Sequence, residues 1–526
     1  MKTLFYGGTI LTMSEPMYAE AVLTENGSIR AVGSLDGLKA MAGDCCMVDL
    51  HGAVMLPAFI DPHSHFFQVA ASFLQASVNG CTSSGEIRER IQAFILQRKI
   101  GPGQWIHVRD YDNNIMPDLH NPTLEQLDTY APENPIVIHH KSGHMGMMNS
   151  LALHQLGVTA DTPAPEGGMI EKKDGRLTGY MEENAFFENI KKIPMFNQDQ
   201  LLGAFADAQK KYASYGITTL QDGMVAIPML RMYQALLEQN SLYLDVKLYA
   251  GLDTFDSLQA LLAHYPKNRH LQCSGLKMFL DGSPQGRTAW MRTPYLGDQK
   301  DYCGYGTMTD EAVEAGFRMA AQKHTQLIAH CNGDGASAQF LRCLEKTEKE
   351  YPELKNLRPV IIHGQLLGLD QLPLVKKLGA VISFFVAHVY HWGDVHIRNF
   401  GMERASQISP AKSAMEAQIP VTFHQDAPVI EPDMLETIWC AVNRKTKAGV
   451  SLGEDQAISV LDALKAVTVN AAYQYSEEDK KGSIEAGKAA DFVVLDRNPL
   501  TVQPADLRDI QILETYKAGK SVYQKQ

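Results

Sequence analysis

Two histidines one residue apart, His63 and His65, close the stretch Leu56-Pro-Ala-Phe-Ile-Asp-Pro-His-Ser-His65. On a β-strand alternate residues share a face, so this spacing aims both imidazoles at one point. Neutral imidazole is a zinc ligand, with Zn–N near ~2.0–2.1 Å. Alone, the pair is equally compatible with surface or hydrogen-bonded structural histidines. Its weight comes from what ends the later apolar strands: Lys277 on strand four, His330 on five, His363 on six and Asp426 on eight. For any one of these a structural role is the simpler reading. All of them falling at strand ends in this order points to one shared centre.

Such residues need a scaffold that brings strand ends together. Apolar strands are read at 217–223, 245–252, 275–282, 327–333, 360–365, 380–385 and 421–426, with helical patterns at 310–323, 337–349 and 369–378 between them. With the His63/His65 strand they make eight, the number of a (β/α)8 TIM-like barrel, whose strands all end at the catalytic face. The barrel is assigned to residues 57–475. Residues 66–216 are an insertion after strand one, with strands at 105–109 and 136–139 and helices at 84–98 and 198–215. They are expected to fold as an α+β cap. Without them the barrel region matches the ~250 residues of a typical barrel. The two ends, 1–56 and 476–526, carry short strands at 2–13 and 21–32 about an Asn26-Gly27 turn, and at 490–495, 510–516 and 520–523. Neither end has a core of its own, so both termini are expected to pair into one small β-domain. The expected class is α/β.

The chain of 526 residues is 45% hydrophobic and 21% charged, an ordinary globular composition. Its net charge of −12 disfavours nonspecific binding to nucleic acid or an anionic membrane. The N-terminus lacks the apolar core of a signal peptide, and no apolar run reaches the ~20 residues of a membrane helix. Eight cysteines are scattered without a C-x-x-C, and only Cys45 and Cys46 adjoin. That usage fits a reduced, cytoplasmic enzyme. Cys331, beside His330, is read as a small packed residue facing away from it.

These residues resemble the amidohydrolase superfamily: a terminal β-domain, His-x-His, a strand-four lysine, two later histidines and a final aspartate. Within it, Ser142-Gly-His-Met-Gly-Met-Met-Asn-Ser150, Lys277-Met-Phe-Leu-Asp-Gly-Ser283 with Arg287-Thr-Ala289, and His424-Gln-Asp-Ala-Pro-Val429 resemble the subgroup that includes N-substituted formamide deformylase. The likeness covers nearly the whole chain. Two departures stand out: Ala58 where the family usually has Gly, and Cys331-Asn332 where Ala-Ile is frequent. The resemblance implies that His63, His65 and Asp426 hold the more buried of two divalent metals and that His330 and His363 hold the other. It further implies that Lys277 is N-carboxylated by CO2 into an anionic bridge, and it carries the expectation of a homodimer.

That set makes chemical sense. Two metals ~3.5–4 Å apart polarise a carbonyl and lower the pKa of water from ~15.7 to ~7. Asp426 can then take a proton from the water and pass it to a leaving amine. The imidazoles favour zinc, with manganese, iron or cobalt as alternatives. Within the apolar run Leu276-Lys-Met-Phe-Leu280 a free ammonium is costly, and two cations would repel it. The alternative is a one-metal site with Lys277 paired to a carboxylate such as Asp281. As substrate contacts the sequence offers His144 in the insertion, Arg287 for a carboxylate, and Asn332 on the same face as His330. Each has a structural alternative, an ion pair that fixes the loop in the case of Arg287. Tyr390, Trp392 and Asp394 follow strand seven as loop packing, and His139 and His140 read as structural.

The leading function is hydrolysis of an amide-type C–N bond in a small molecule by metal-activated hydroxide. A metal-dependent deaminase is the nearest rival, although such enzymes generally use one metal and no strand-four lysine. Lactone or ester hydrolysis on the same fold stays open. A metal-free scaffold would lack ligands, and none is missing.

Overall fold

A computed structural model describes residues 2–113, 116, 121–140, 145–165, 168–194, 196–297 and 300–526. His144 lies outside them. The chain divides into two compact units: Met1–Val69 with Ala206–Gln526, and Ala70–Phe205.

The first unit contains an eight-stranded parallel sheet with its strands in chain order. They are β1 (Phe59–Ile60), β2 (Ile217–Val225), β3 (Asp245–Ala250), β4 (Leu271–Phe279), β5 (Gln326–Cys331), β6 (Val360–His363), β7 (Val381–Phe384) and β8 (Val421–Phe423). β6, β7 and β8 are buried at every position. Strands covered on both faces are mainly apolar, broken here only by His363, Ser383 and Thr422, which is why they read as short runs rather than alternations. The sheet curls in the TIM-like manner until the segments beyond its two edge strands meet. There Asp426 N donates to His63 O (3.2 Å) and His65 N to Ala427 O (2.9 Å). Helices such as Asp310–Gln322 and Asp334–Glu348 return the chain between strands. The first begins where Thr309 accepts from Ala312 N, the usual cap of an orphan N–H.

Both termini enter a second sheet. Its order is Lys520–Gln524, Ile512–Lys517, Phe492–Leu495, Val54–Pro57, Lys2–Leu11, Tyr18–Glu25 and Ser28–Gly33, with Cys46–Asp49 beside Lys2–Leu11. The Asn26-Gly27 turn has the positive φ, 52° and 86°, that a tight hairpin requires. Phe5 seals this sheet, edge-on to Phe492 and Tyr516 at 5.4 and 5.0 Å.

The stretch around His63 departs from expectation. It is two short strands: Val54–Pro57 pairs with Phe492–Leu495 in the terminal sheet, and Phe59–Ile60 belongs to the parallel sheet. Both histidines lie in the turn beyond. Strand alternation is therefore not what aligns them.

The second unit holds a six-stranded sheet, in the order Gly168–Lys173, Arg176–Glu182, Met145–Met148, Ile136–His140, Ile106–Tyr111 and Gln75–Ser77. Helices Ser84–Arg98 and Leu124–Tyr130 share its core through Ile87, Ile91 and Leu127. No helix among the described residues is long and apolar enough to cross a membrane.

Candidate metal centre

The chain turns sharply at the ends of β6 and β8. His363 closes β6 at φ 74° with Gly364 at 51° behind it, and Asp426 sits three residues past β8 at φ 55°. Left-handed backbone is strained for residues other than glycine, and such strain gathers where side chains must be aimed.

Asp426 is the meeting point. Its Oδ1 lies 3.1 Å from His65 Nε2 and 3.4 Å from His63 Nε2, and its Oδ2 lies 3.9 Å from His363 Nε2. The ligand atoms of His63, His65 and Asp426 all fall within 4.8 Å of one another. Lys277, near the end of β4, places Nζ 3.2 Å from His63 Nε2. The His330 and His363 rings meet edge-on with centroids 4.5 Å apart. The six residues expected to converge do so.

Three of the four histidines, His63, His330 and His363, are turned by a partner on the other nitrogen. His63 Nδ1 donates to Gln221 Oε1, and Gln221 is held in turn by its own bond to Pro62 O (2.9 Å). His363 Nδ1 lies 3.0 Å from His424 Nε2, and His424 Nδ1 lies 2.9 Å from Ser383 Oγ. His330 Nδ1 lies 3.1 Å from Asp281 Oδ1. With Nδ1 donating outward, Nε2 of each ring keeps its lone pair, the arrangement that orients a metal-binding histidine. Sequence reasoning missed Gln221, Ser383 and the role of Asp281. The one available signal was His424, two residues before Asp426.

Asp281 also corrects the expected alternative for Lys277. Its carboxylate accepts from His330 Nδ1 and from the backbone N–H groups of Trp290, Asn332 and Gly333, so Lys277 does not pair with it. Tyr390, Trp392 and Asp394 likewise lie in the helix His388–Ala405 rather than in a loop. Cys331 is fully buried, as read.

Burial holds His63 and His363 well below the ordinary imidazole pKa, so both rings are neutral at neutral pH, the form that can bind a metal. Burial lowers Lys277 to about 7 against the opposing pull of Asp426. Burial acts to raise Asp426, but His65, His424 and Lys277 outweigh it and leave the carboxyl below its usual range.

The donor set fits a divalent cation. Among the described residues Asp426 Oδ1 is buried without a hydrogen-bond partner, although two imidazole nitrogens point at it. A buried carboxylate oxygen left without a proton donor is costly; a cation between the three atoms satisfies it.

Of the expected substrate contacts, Asn332 reaches the centre, with Nδ2 3.2 Å from His330 Nε2 and 2.8 Å from Gly282 O. Arg287, at φ 59°, donates to Leu296 O (2.9 Å) and lies 5.5 Å over the Tyr295 ring. The ion pair weighed for it is not seen among the described residues.

Comparison with known proteins follows the same lines. YtcJ of Bacillus subtilis strain 168 is 28% identical to this chain, with 100% of each covered. N-substituted formamide deformylase of Arthrobacter pascens is 28% identical over 96% of this chain and 95% of its own. A solved structure of an uncharacterized metal-dependent hydrolase from Pyrococcus horikoshii OT3 shares the fold, with a TM-score of 0.80 at 24% identity over 96% of this chain and 99% of the other. The family model described as the amidohydrolase family matches residues 47–523, from the terminal sheet through every strand end described above. The chain belongs to the amidohydrolase family and is a hydrolase.

Proposed function

We propose that the chain hydrolyses an amide-type C–N bond of a small molecule, with a divalent metal, zinc by preference, held by His63, His65 and Asp426. The observation that carries this reading is Asp426 Oδ1, buried and without a hydrogen-bond partner among the described residues, yet faced by two imidazole nitrogens. Such a metal supplies a Lewis acid that polarises a carbonyl and brings water toward ionisation at neutral pH. Gln221 fixes His63 in the tautomer that leaves Nε2 unprotonated. Asp426 moves the proton: Oδ1 faces the imidazoles, and Oδ2 takes the proton of the attacking water and returns it to the leaving nitrogen. His330 and His363 would hold a second metal. Lys277, buried and uncompensated by Asp281, would be N-carboxylated to bridge the two.

The rest of the reading concerns scaffold and setting. Residues 57–475 act as a (β/α)8 barrel, 1–56 with 476–526 as its small β-domain, and 66–216 as the inserted cap. The insertion leaves the chain directly after His65, which supports its setting substrate choice through His144. Arg287 and Asn332 supply further substrate contacts. The enzyme works in the cytoplasm, as a homodimer, without nucleic acid or membrane. The N-substituted formamide deformylase likeness supports an N-formyl or N-acyl substrate.

The test is metal analysis of purified protein together with a hydrolysis screen over N-formyl, N-acyl and cyclic amides. Amide turnover that chelation abolishes and zinc restores is the expected result; turnover indifferent to chelation sinks the reading. One observation favours a second reading, a deaminase: a single cluster of three His/Cys/Asp/Glu ligands is found among the described residues. Ammonia release from aminated heterocycles, without amide turnover, would select it.

A further inference from the structure

We infer that Asn332 competes with a second metal for His330, so that this chain holds one divalent ion tightly, at His63, His65 and Asp426, and a second one weakly. The inference rests on the metal-hydrolase reading and adds the relative strength of its two sites.

The argument is one of lone pairs. A carboxylate only accepts, so His330, 3.1 Å from Asp281 Oδ1, carries its proton on Nδ1. Its Nε2 then has a single lone pair. Asn332 Nδ2 lies 3.2 Å from that atom. A carboxamide nitrogen only donates, so the lone pair a metal needs already accepts a proton. One lone pair cannot serve both.

Asn332 is not free to step aside. Nδ2 also donates to Gly282 O at 2.8 Å, and the backbone N donates to Asp281 Oδ1 at 2.9 Å. The residue is 4% exposed. Turning the carboxamide over would set Oδ1 against Gly282 O, acceptor to acceptor. The next residue, Gly333, lies so close to Trp290 that an added Cβ would be 1.9 Å from its carbonyl oxygen, so the backbone has little slack. His63 Nε2 also faces a donor, Lys277 Nζ at 3.2 Å. That donor ends a flexible, unbranched side chain that can swing away, whereas the Asn332 carboxamide is held by Gly282 O. The two sites are therefore unequal by construction.

The test is zinc titration of the metal-free full-length protein in bicarbonate buffer, by calorimetry with metal analysis for stoichiometry, on the wild type and on Asn332→Leu and Asn332→Ala. The expected wild-type result is one tight equivalent and one weaker. Removing the competing hydrogen bond should tighten the second equivalent by about fivefold, the worth of one net hydrogen bond, with the first equivalent unmoved. The alanine variant, smaller than the space it leaves, guards against a leucine that does not fit. Two equal equivalents in the wild type, or a second equivalent that is unmoved or weakened in both variants, overturns the inference. No zinc bound at all overturns the metal reading itself, and this inference with it.

Discussion

In the proposed mechanism Asp426 has two jobs, one for each oxygen, and the jobs separate by substitution. Asp426→Asn keeps an oxygen for the metal but gives up the proton acceptor. Turnover should fall by about 10²–10⁴, the usual worth of a general base, with the fold intact. Rates measured alongside metal content check this; near-wild-type turnover at unchanged metal removes Asp426 from proton transfer. Lys277 carries a sharper expectation. Native mass spectrometry near neutral pH in bicarbonate should show one added CO2 on the wild type and none on Lys277→Ala, which should also bind the second metal poorly. An unmodified lysine in a protein with two metals bound would refute the bridge. The six converging residues were legible because strand ends in a parallel sheet share one face. His63 and His65 were found by a spacing whose geometry is not the one used: they converge from a turn, not a strand. Gln221, Ser383 and the role of Asp281 were not legible. Each is a polar residue that gains its meaning only from a partner remote in sequence, which no local pattern records.

At the scale of elements, the strands were readable because burial on both faces leaves mainly apolar runs at 360–363 and 381–384, interrupted only by His363 and Ser383. β1 was read, but too long: the strand counted through His65 ends at Ile60, because two buried residues, Phe59 and Ile60, carry no periodicity that would mark its end. The hairpin of Gly168–Lys173 with Arg176–Glu182 went unread, although Asp174 and Gly175, at φ 51° and 74°, form the kind of turn that Asp-Gly signals. The turn leaving β5 is the element most exposed to a single change. Gly333 caps the helix Asp334–Glu348 against the Trp290 carbonyl. Gly333→Ala must move backbone, and overpacking of that kind costs about 1–3 kcal/mol. Denaturant unfolding should register that loss, and the same variant should weaken metal binding at His330, which hangs on the same turn. Unchanged stability would mean that the turn yields more easily than its contacts indicate.

Across the molecule, the terminal sheet is bound to the base of the parallel sheet by buried charge. Lys517 Nζ bridges Asp245 Oδ2 (2.6 Å) and Asp491 Oδ2 (2.7 Å), Lys481 Nζ meets the same Asp245 oxygen at 2.6 Å, and Lys247 Nζ lies 2.7 Å from Glu477 Oε1. Burial, aided by Lys481, lowers Lys247 to about 8. From roughly pH 8 to the ordinary lysine value near 10.4, the unfolded chain holds a proton that the folded chain has lost, so this group makes stability rise with pH across that window. Below it both states are protonated, and the contribution is flat. Lys247→Met should remove up to one proton's worth of slope, at most about 1.4 kcal/mol per pH unit. Unfolding curves from pH 7 to 10 on both proteins check it; parallel slopes would show that Lys247 titrates normally. The seam where Asp426 N meets His63 O and His65 N meets Ala427 O has a consequence for how the enzyme is made. His63 and His65 leave the ribosome early, whereas Asp426 emerges after every other strand of the parallel sheet. Until then the two histidines are a pair without a third ligand, attached to a sheet without its last strand. A nascent chain has no complete ligand set, so an ion that needs all three side chains can be held only once Asp426 has emerged and the last strand has closed the sheet.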